Sequence, residues 1–331
     1  MTSMVSRRRF LALTGTGVCA TALAACSFTH AAEYSGGGAA LKLGAVEGGE
    51  HTTATPTPRP TPVLEPRSRR VVSLMPGTAW QADGVAIHSG QPGPRIMVLG
   101  GVHGNEPGGW LAAQSIAEWE IERGSLLVLP RLNWRSASAF VRTLPDYGDL
   151  NRLYPGDVNS TQPMARMAAA VIEAGRAFQP ELLFDLHESW VFYAERGAGS
   201  GTAFIGQTVS IGTGATETTV DRISNVVRSV NGEISAREEF YMRGAATPRP
   251  GVRVVPSNPS PGGSTPPSVT PAPGPNGVSF GGTSSLSLGR WIEGCVPILI
   301  EMGQQNEDES RRSELHQMLV RTTLAQSGMF G

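Results

Sequence analysis

One local arrangement limits what this chain can fold into more than any other. An apolar run breaks into a glycine-rich turn, and a helix follows at once. The run is Ile96-Met97-Val98-Leu99, and the turn is Gly100-Gly101-Val102-His103-Gly104-Asn105-Glu106. The helical pattern opens at Pro107 and carries Ala112, Ile116 and Trp119 at i, i+4, i+7 spacing. Open α/β sheets hold their ligands beyond the C-terminal ends of their strands, and this turn puts His103 and Glu106 there. Two such side chains three residues apart can reach one divalent ion. Surface turns also carry His and Glu without any such role, so the pair needs support from elsewhere in the chain.

Other strand-like runs are Val71 to Leu74, Val85 to His88, Leu126 to Pro130, Glu181 to His187 and Val296 to Glu301. Helical patterns are expected from Pro107 to near Gly124, from Met164 to Phe178, from Glu217 to Asn231 and, briefly, from Ser284 to Glu293. A last helix carries Leu315, Met318, Leu319 and Thr322 on one face. Strands alternating with helices predict an α/β domain with a mostly parallel or mixed central sheet. A polar, irregular stretch runs from Asn133 to Thr161, and residues 246–277, rich in Pro, Gly and Ser, read as a disordered insertion. Roughly 230 ordered residues can bury one good core.

The N-terminus has a different character. Ser6-Arg7-Arg8-Arg9-Phe10-Leu11 followed by a short apolar run to Ala25 reads as an export signal of the twin-arginine kind, too short for a permanent span. Leu23-Ala24-Ala25-Cys26 resembles a bacterial lipobox, with Cys26 the lipidated residue. Residues 1–26 are thus a signal, and residues 27–70, with Gly36-Gly37-Gly38 and Thr55-Pro56-Thr57-Pro58-Arg59-Pro60-Thr61-Pro62, are a flexible, then polyproline spacer. The folded domain is expected at 71–331. This organisation predicts an exported protein of the cell envelope, lipid-anchored to the outer face of the cytoplasmic membrane. With Cys19 in the signal and Cys26 lipidated, Cys295 remains as a buried core thiol, and no disulfide is expected. A formal net charge of −1 and no basic stripe with interleaved aromatics give no hint of nucleic acid.

Further polar residues fall at the same edge of the expected sheet. His187 ends its strand, and with His103 and Glu106 it makes a two-histidine, one-carboxylate set. Such a set leaves a zinc position open for water, as catalytic sites do. Glu301 is the one charge in Val296 to Met302, and a carboxylate at such a place is costly unless paired or used. Near an ion-activated water it would serve as general base. Arg142, Asn151 and Arg152 are candidates for holding an anionic substrate and a developing oxyanion.

His103-Gly104-Asn105-Glu106-Pro107, Asp149-Leu150-Asn151-Arg152-Leu153-Tyr154-Pro155-Gly156, Asp185-Leu186-His187-Glu188-Ser189 and Ile300-Glu301-Met302-Gly303 together resemble the zinc carboxypeptidase superfamily. Within it they resemble most the succinylglutamate desuccinylase and aspartoacylase branch, from about Arg95 to the C-terminus with the Pro-rich insertion excepted. The resemblance implies a three-layer α/β fold and one Zn(2+) per chain on His103, Glu106 and His187. It implies Glu301 as base, Asn151 and Arg152 as the pair that grips the substrate carboxylate, and Asp149 as the carboxylate orienting the first ligand histidine. Arg142 is matched to the carbonyl-polarising arginine by its position upstream of Asp149. The chain stops one helix after Glu301, without the C-terminal β domain that usually caps the pocket in the deacylases. Tyr154 stands where Phe is common, and Tyr193 and Tyr241 are options for the mobile tyrosine of some members.

The expected activity is zinc-dependent hydrolysis of an N-acyl amino acid, or a peptide-like amide, beside a free carboxylate. The alternatives are a metallocarboxypeptidase, with cell-wall peptides as candidate substrates, and a non-catalytic binding module. His30, His51 and His316 are expected to be solvated, and His88 to be a strand residue without a role. Glu188 is expected to point away from the site and act structurally. Trp190 and Phe192 are expected in the core or lining the pocket, and Asp146 and Asp157 to be loop acids.

Overall fold

The computed structural model describes residues 64–244, 250–256 and 282–330. The signal at 1–26, Cys26, His30, His51 and the spacer up to residue 63 lie outside the described residues, as does most of 246–277. The strands are β1 (Ser68–Leu74), β2 (Ala82–His88), β3 (Arg95–Leu99), β4 (Ser125–Leu129), β5 (Leu182–Ser189), β6 (Thr208–Ile211), β7 (Tyr241–Arg243), β8 (Val254–Val255) and β9 (Val296–Gly303). The helices are α1 (Pro107–Ile116), α2 (Trp134–Ser138), α3 (Pro163–Phe178), α4 (Glu217–Asn231) and α5 (Glu309–Gln326).

All these strands form one sheet in the order β1-β2-β4-β3-β5-β9-β6-β7-β8. The centre, β4-β3-β5-β9, is parallel, whereas β1-β2, β2-β4 and β6-β9 are antiparallel. The sheet is mixed, as its sequence predicts. Side chains alternate along each strand, and the two faces have separate cores. Ile96, Val98, Phe184, Leu186, Ile298 and Ile300 pack with residues of α1, α4 and α5 on one face. Met97, Leu99, Leu127, Leu129 and Leu183 pack with α3, Leu150 and Tyr154 on the other. Two helical layers around one sheet give three layers.

Several boundaries differ from expectation. The first strand starts at Ser68, three residues before the run expected from Val71. Within the stretch expected to be an irregular insertion, Val254–Val255 forms β8 beside β7, and Gly244 N–H and Met242 N–H donate to Val255 and Arg253 carbonyls. This pairing satisfies backbone groups that an edge strand would leave open.

The first helix stops at Ile116, well before Gly124. Tertiary contacts override the helical pattern there: Glu122 N–H donates to Met329 O (2.8 Å), and Trp119 meets Phe330 edge-on with ring centroids 5.9 Å apart. The segment Ser285–Arg290 is a 3-10 turn, not an α-helix. Thr216 caps α4 through Thr219 N–H, and Asp308 caps α5 through Ser310 N–H, as short polar side chains at N-caps do.

Helix α5 packs against both α1 and α4. Its buried stripe is therefore wide, and His316 is fully buried, contrary to the solvated position expected for it. Burial and the nearby charge of His187 push His316 down to about 3. His88 is buried too, with Nδ1 2.9 Å from Ser125 Oγ. Phe192 is in the core, but Trp190 is 59% exposed. Cys295 is buried as expected.

Candidate active site

The site forms where β3, β5 and β9 end. After β3 the chain turns through Gly101, whose φ of +64° lies in the left-handed region that glycine adopts without strain. The turn brings His103 and Glu106 back over the sheet edge. Pro107 starts α1 at the position where a missing N–H costs nothing. From β5, Asp185 and His187 point to one face because they are two residues apart.

His103 Nδ1 lies 2.8 Å from Glu106 Oε1, and His187 Nδ1 lies 2.8 Å from Glu106 Oε2. The two Nδ1 atoms are 3.1 Å apart. Each imidazole is held from behind: His103 Nε2 is 3.0 Å from Asp149 Oδ1, and His187 Nε2 is 2.7 Å from Asp185 Oδ2. A carboxylate only accepts, so Asp149 and Asp185 favour a proton on each Nε2, and each Nδ1 presents a lone pair when its imidazole is neutral. The two Nδ1 atoms and the Glu106 carboxylate then converge on one point. Positive charge satisfies such a set, as protons shared with Glu106 or as one metal ion, and these three residues are buried within reach of one ion.

The electrostatics agree. Burial raises the Glu106 carboxyl, but the charges of His103 and His187 outweigh it and hold Glu106 far below the usual range. Burial lowers His187, and Asp185 and Glu106 overcome it, keeping His187 well above an ordinary histidine. Burial likewise opposes ionisation of Asp149, which bonds to His103 and Arg142 nevertheless hold far down. The cluster attracts positive charge, here as protons and equally as a metal ion.

Glu301 on β9 is the Cα partner of His187 on β5. Burial pushes its carboxyl up to about 7, against the pull of His187, of the Ser189 hydroxyl and of Arg243. Ser189 Oγ donates to Glu301 Oε2 at 2.9 Å. A buried carboxyl with a value near neutrality can take and return a proton.

Arg142 reaches Asp149 Oδ2 with Nε (3.1 Å) and Nη2 (2.9 Å), and Glu106 Oε1 with Nη1 (3.5 Å). It thus borders the cluster, with its side chain 42% exposed. Asn151 is buried, with Nδ2 3.4 Å from His187 Nε2 and Oδ1 accepting from Ser285 N–H at 2.8 Å. Arg152 turns outward and donates from Nη1 to Asn151 O at 2.8 Å. The expected carboxylate-gripping pair therefore divides, with Asn151 against the cluster and Arg152 at the surface beside it.

Three residues join the site that no motif role anticipated. Asp185 was visible only as part of a motif, yet Asp-x-His on a strand puts both side chains on one face. Ser189, two further on, repeats the logic. Arg243 was not foreseen at all. Across the sheet Glu301 pairs with Thr208, and Thr208 with Tyr241. Arg243 lies two residues beyond Tyr241, on the same face. It is half-buried; burial lowers its guanidinium's pKa, against the charges of Glu301 and Tyr193. Tyr193 and Tyr241 meet as tilted rings with centroids 5.5 Å apart, and the Arg196 guanidinium lies 3.5 Å over Tyr193. Tyr154 is wholly buried under the site, and burial with Asp185 and Asp149 nearby raises its phenol well above the usual value.

Residues 92–190, which contain His103, Glu106 and His187, match the family described as Succinylglutamate desuccinylase/Aspartoacylase catalytic domain. No curated protein matches the chain in sequence. Among solved structures, a succinylglutamate desuccinylase/aspartoacylase from Rhodobacter sphaeroides superposes with a TM-score of 0.50 at 15% identity, covering 81% of this chain and 67% of that one. Product-bound Csd4, a cell shape determinant protein from Helicobacter pylori, gives a TM-score of 0.53 at 15% identity over 79% of this chain and 56% of its own. The product-bound ectoine utilization protein EutE from Ruegeria pomeroyi gives a TM-score of 0.52 at 16% identity, with 82% and 71% covered. The fold is the zinc-carboxypeptidase-like one. The chain spans little more than half the length of Csd4.

Proposed function

We propose that this chain is a metal-dependent amide hydrolase, with zinc the ion and one ion per chain. The observation that carries the reading is the buried convergence of His103 Nδ1, His187 Nδ1 and the Glu106 carboxylate beside Glu301. Bound there, a divalent ion supplies a Lewis acid and makes a water easier to deprotonate.

The protein's own groups account for the rest. Glu301 takes a proton from the attacking water on its carboxylate and returns it to the leaving amine nitrogen. Arg142, at the rim, offers guanidinium N–H groups to the oxygen of the amide carbonyl as charge develops on it. Asn151 and Arg152 are adjacent donors for a free carboxylate of the substrate, Asn151 from within and Arg152 from the surface. Asp149 and Asp185 keep both imidazoles in the tautomer that presents Nδ1. The substrate class is an N-acyl amino acid or a peptide-like amide next to a carboxylate. The N-terminal sequence supports export and a lipid anchor at Cys26, which would put this activity in the cell envelope.

A second reading, a carboxypeptidase on cell-wall peptides, draws on the fold shared with Csd4, which has been solved with a tripeptide bound. A purified protein incubated with zinc, analysed for bound metal and assayed on paired panels of N-acyl amino acids and peptides, separates the two. Turnover confined to peptides would favour the second reading. Absence of turnover on both panels together with absence of bound metal would leave only a binding module.

A further inference from the structure

Glu188 follows His187 on β5 and points to the opposite face. It is buried, and so is its partner Arg312 on α5, whose Nε donates to Glu188 Oε1 at 2.6 Å. The same Oε1 accepts from Gly108 N–H at 3.1 Å, in the first turn of α1. Glu188 Oε2 accepts from Gln304 Nε2 at 3.0 Å, and Gln304 Nε2 also reaches Asn105 O at 2.8 Å. Three segments meet at this carboxylate, the start of α1, the residue after β9 and α5, and Gln304 ties the turn after β3 to them.

The bonds solve a conflict at Glu106. As N-cap of α1, Glu106 is where a side chain would ordinarily accept from the first free N–H groups of the helix. It makes no such bond. Its two oxygens face His103 and His187 instead. Glu188 takes over the capping: its side chain accepts Gly108 N–H from a neighbouring strand, and its backbone N–H donates to Glu106 Oε2 at 3.1 Å. A side chain at Gly108 would collide with Glu188 Oε1 and with Arg312 Cβ, so only glycine admits this approach. Apolar residues of similar volume often replace a buried ion pair without loss of stability. What they could not supply is an acceptor fixed at Gly108 and an anchor on Asn105.

We infer that Glu188, held by Arg312 and Gln304, is a positioning residue for the metal-binding turn: by capping α1 from β5 it frees the Glu106 carboxylate for the ion and fixes where that carboxylate sits. The inference rests on His103, Glu106 and His187 being metal ligands. Capping in trans, not charge at residue 188, does the work.

The test compares the full-length wild type with Glu188→Ala, Glu188→Gln and Gln304→Leu. Zinc affinity is measured by chelator competition, the visible spectrum of the cobalt-substituted protein is recorded, and apo-protein stability is followed by urea melts. Glu188→Ala should weaken zinc binding by roughly 10- to 100-fold, as loss of support for a ligand does elsewhere, and should shift the cobalt bands. Glu188→Gln keeps an oxygen for Gly108 N–H and should restore most of the affinity. Gln304→Leu should weaken zinc less than Glu188→Ala, and it serves if Glu188→Ala does not fold. Wild-type zinc affinity and cobalt bands in folded Glu188→Ala, or in Gln304→Leu if that is the variant that folds, would overturn the inference even if apo stability fell. So would an equal loss in Glu188→Gln and Glu188→Ala. A wild type that binds neither zinc nor cobalt overturns the metal reading itself, and the inference with it.

Discussion

His187 and Glu301 stand opposite each other on the adjacent parallel strands β5 and β9, as direct Cα partners. Side chains of such partners share a face of the sheet. The proposed base is thereby set beside the His103-Glu106-His187 cluster by backbone hydrogen bonding, not by a mobile loop. If Glu301 moves protons but holds no ion, Glu301→Gln should bind zinc like the wild type and lose about 10²–10⁴ in kcat. Metal analysis and steady-state kinetics on the same preparation check this. Substantial turnover in the zinc-loaded variant would remove Glu301 from the mechanism.

Asp185 makes a separable contribution. Its Oδ2 accepts from His187 Nε2 at 2.7 Å in a fully buried setting. In Asp185→Asn the amide can present its NH2 to Nε2 and so favour the other tautomer, with the proton on Nδ1 where the ion should sit. Zinc affinity should fall roughly 10- to 100-fold, with a smaller change in kcat once zinc saturates. Zinc titration followed by kinetics at saturating metal distinguishes this from a loss of base function.

Much of this was legible in the chain. The strand-turn-helix around Gly100 to Pro107 fixes local geometry through glycine, proline and an apolar period, so His103 and Glu106 could be placed before any fold was known. Helix α4 has the bounds its pattern predicts, because a Thr cap and an amphipathic stripe agree. What could not be read depends on tertiary partners. Helix α1 ends early because Trp119 and Glu122 bind the C-terminus. His316 is buried because α5 is flanked by two helices, whereas one apolar stripe suggests one flank. Arg243 enters the site only through the order β9-β6-β7, a pairing no local pattern encodes. Asn151 and Arg152, neighbours in a motif, part because one side chain turns toward His187 and the other toward solvent.

Arg142 provides a test of oxyanion stabilisation. It is tied to Asp149 through two nitrogens and still half in solvent, with Nη1 facing the Glu106 carboxylate. Arg142→Met should lower kcat by about 10²–10³ with a modest change in KM, since the interaction strengthens as the carbonyl oxygen gains charge. A variant with raised KM and unchanged kcat would assign Arg142 to ground-state binding instead.

Acid stability should depend on Glu238, away from the His103-Glu106-His187 cluster. Glu238 receives Arg311 through Nε at 2.7 Å and Nη2 at 3.2 Å, and Ser235 through N–H at 3.0 Å and Oγ at 2.8 Å. The Arg311 bonds, aided by Ser235, hold its carboxyl down at about 2, below an ordinary 4.5. A folded-state value below the unfolded one means the unfolded chain binds the proton more readily as pH falls. The stabilisation is therefore complete above about pH 5 and drains away toward pH 2. Glu238→Gln should cost roughly 1–2 kcal/mol at pH 7, allowing for partial exposure of Arg311. The gap between wild type and variant should close as pH approaches 2. Urea melts of both proteins from pH 7 to pH 2.5 measure that gap. A gap that stays constant over the range would show that Glu238 acts there through shape and hydrogen bonding alone, not through its charge.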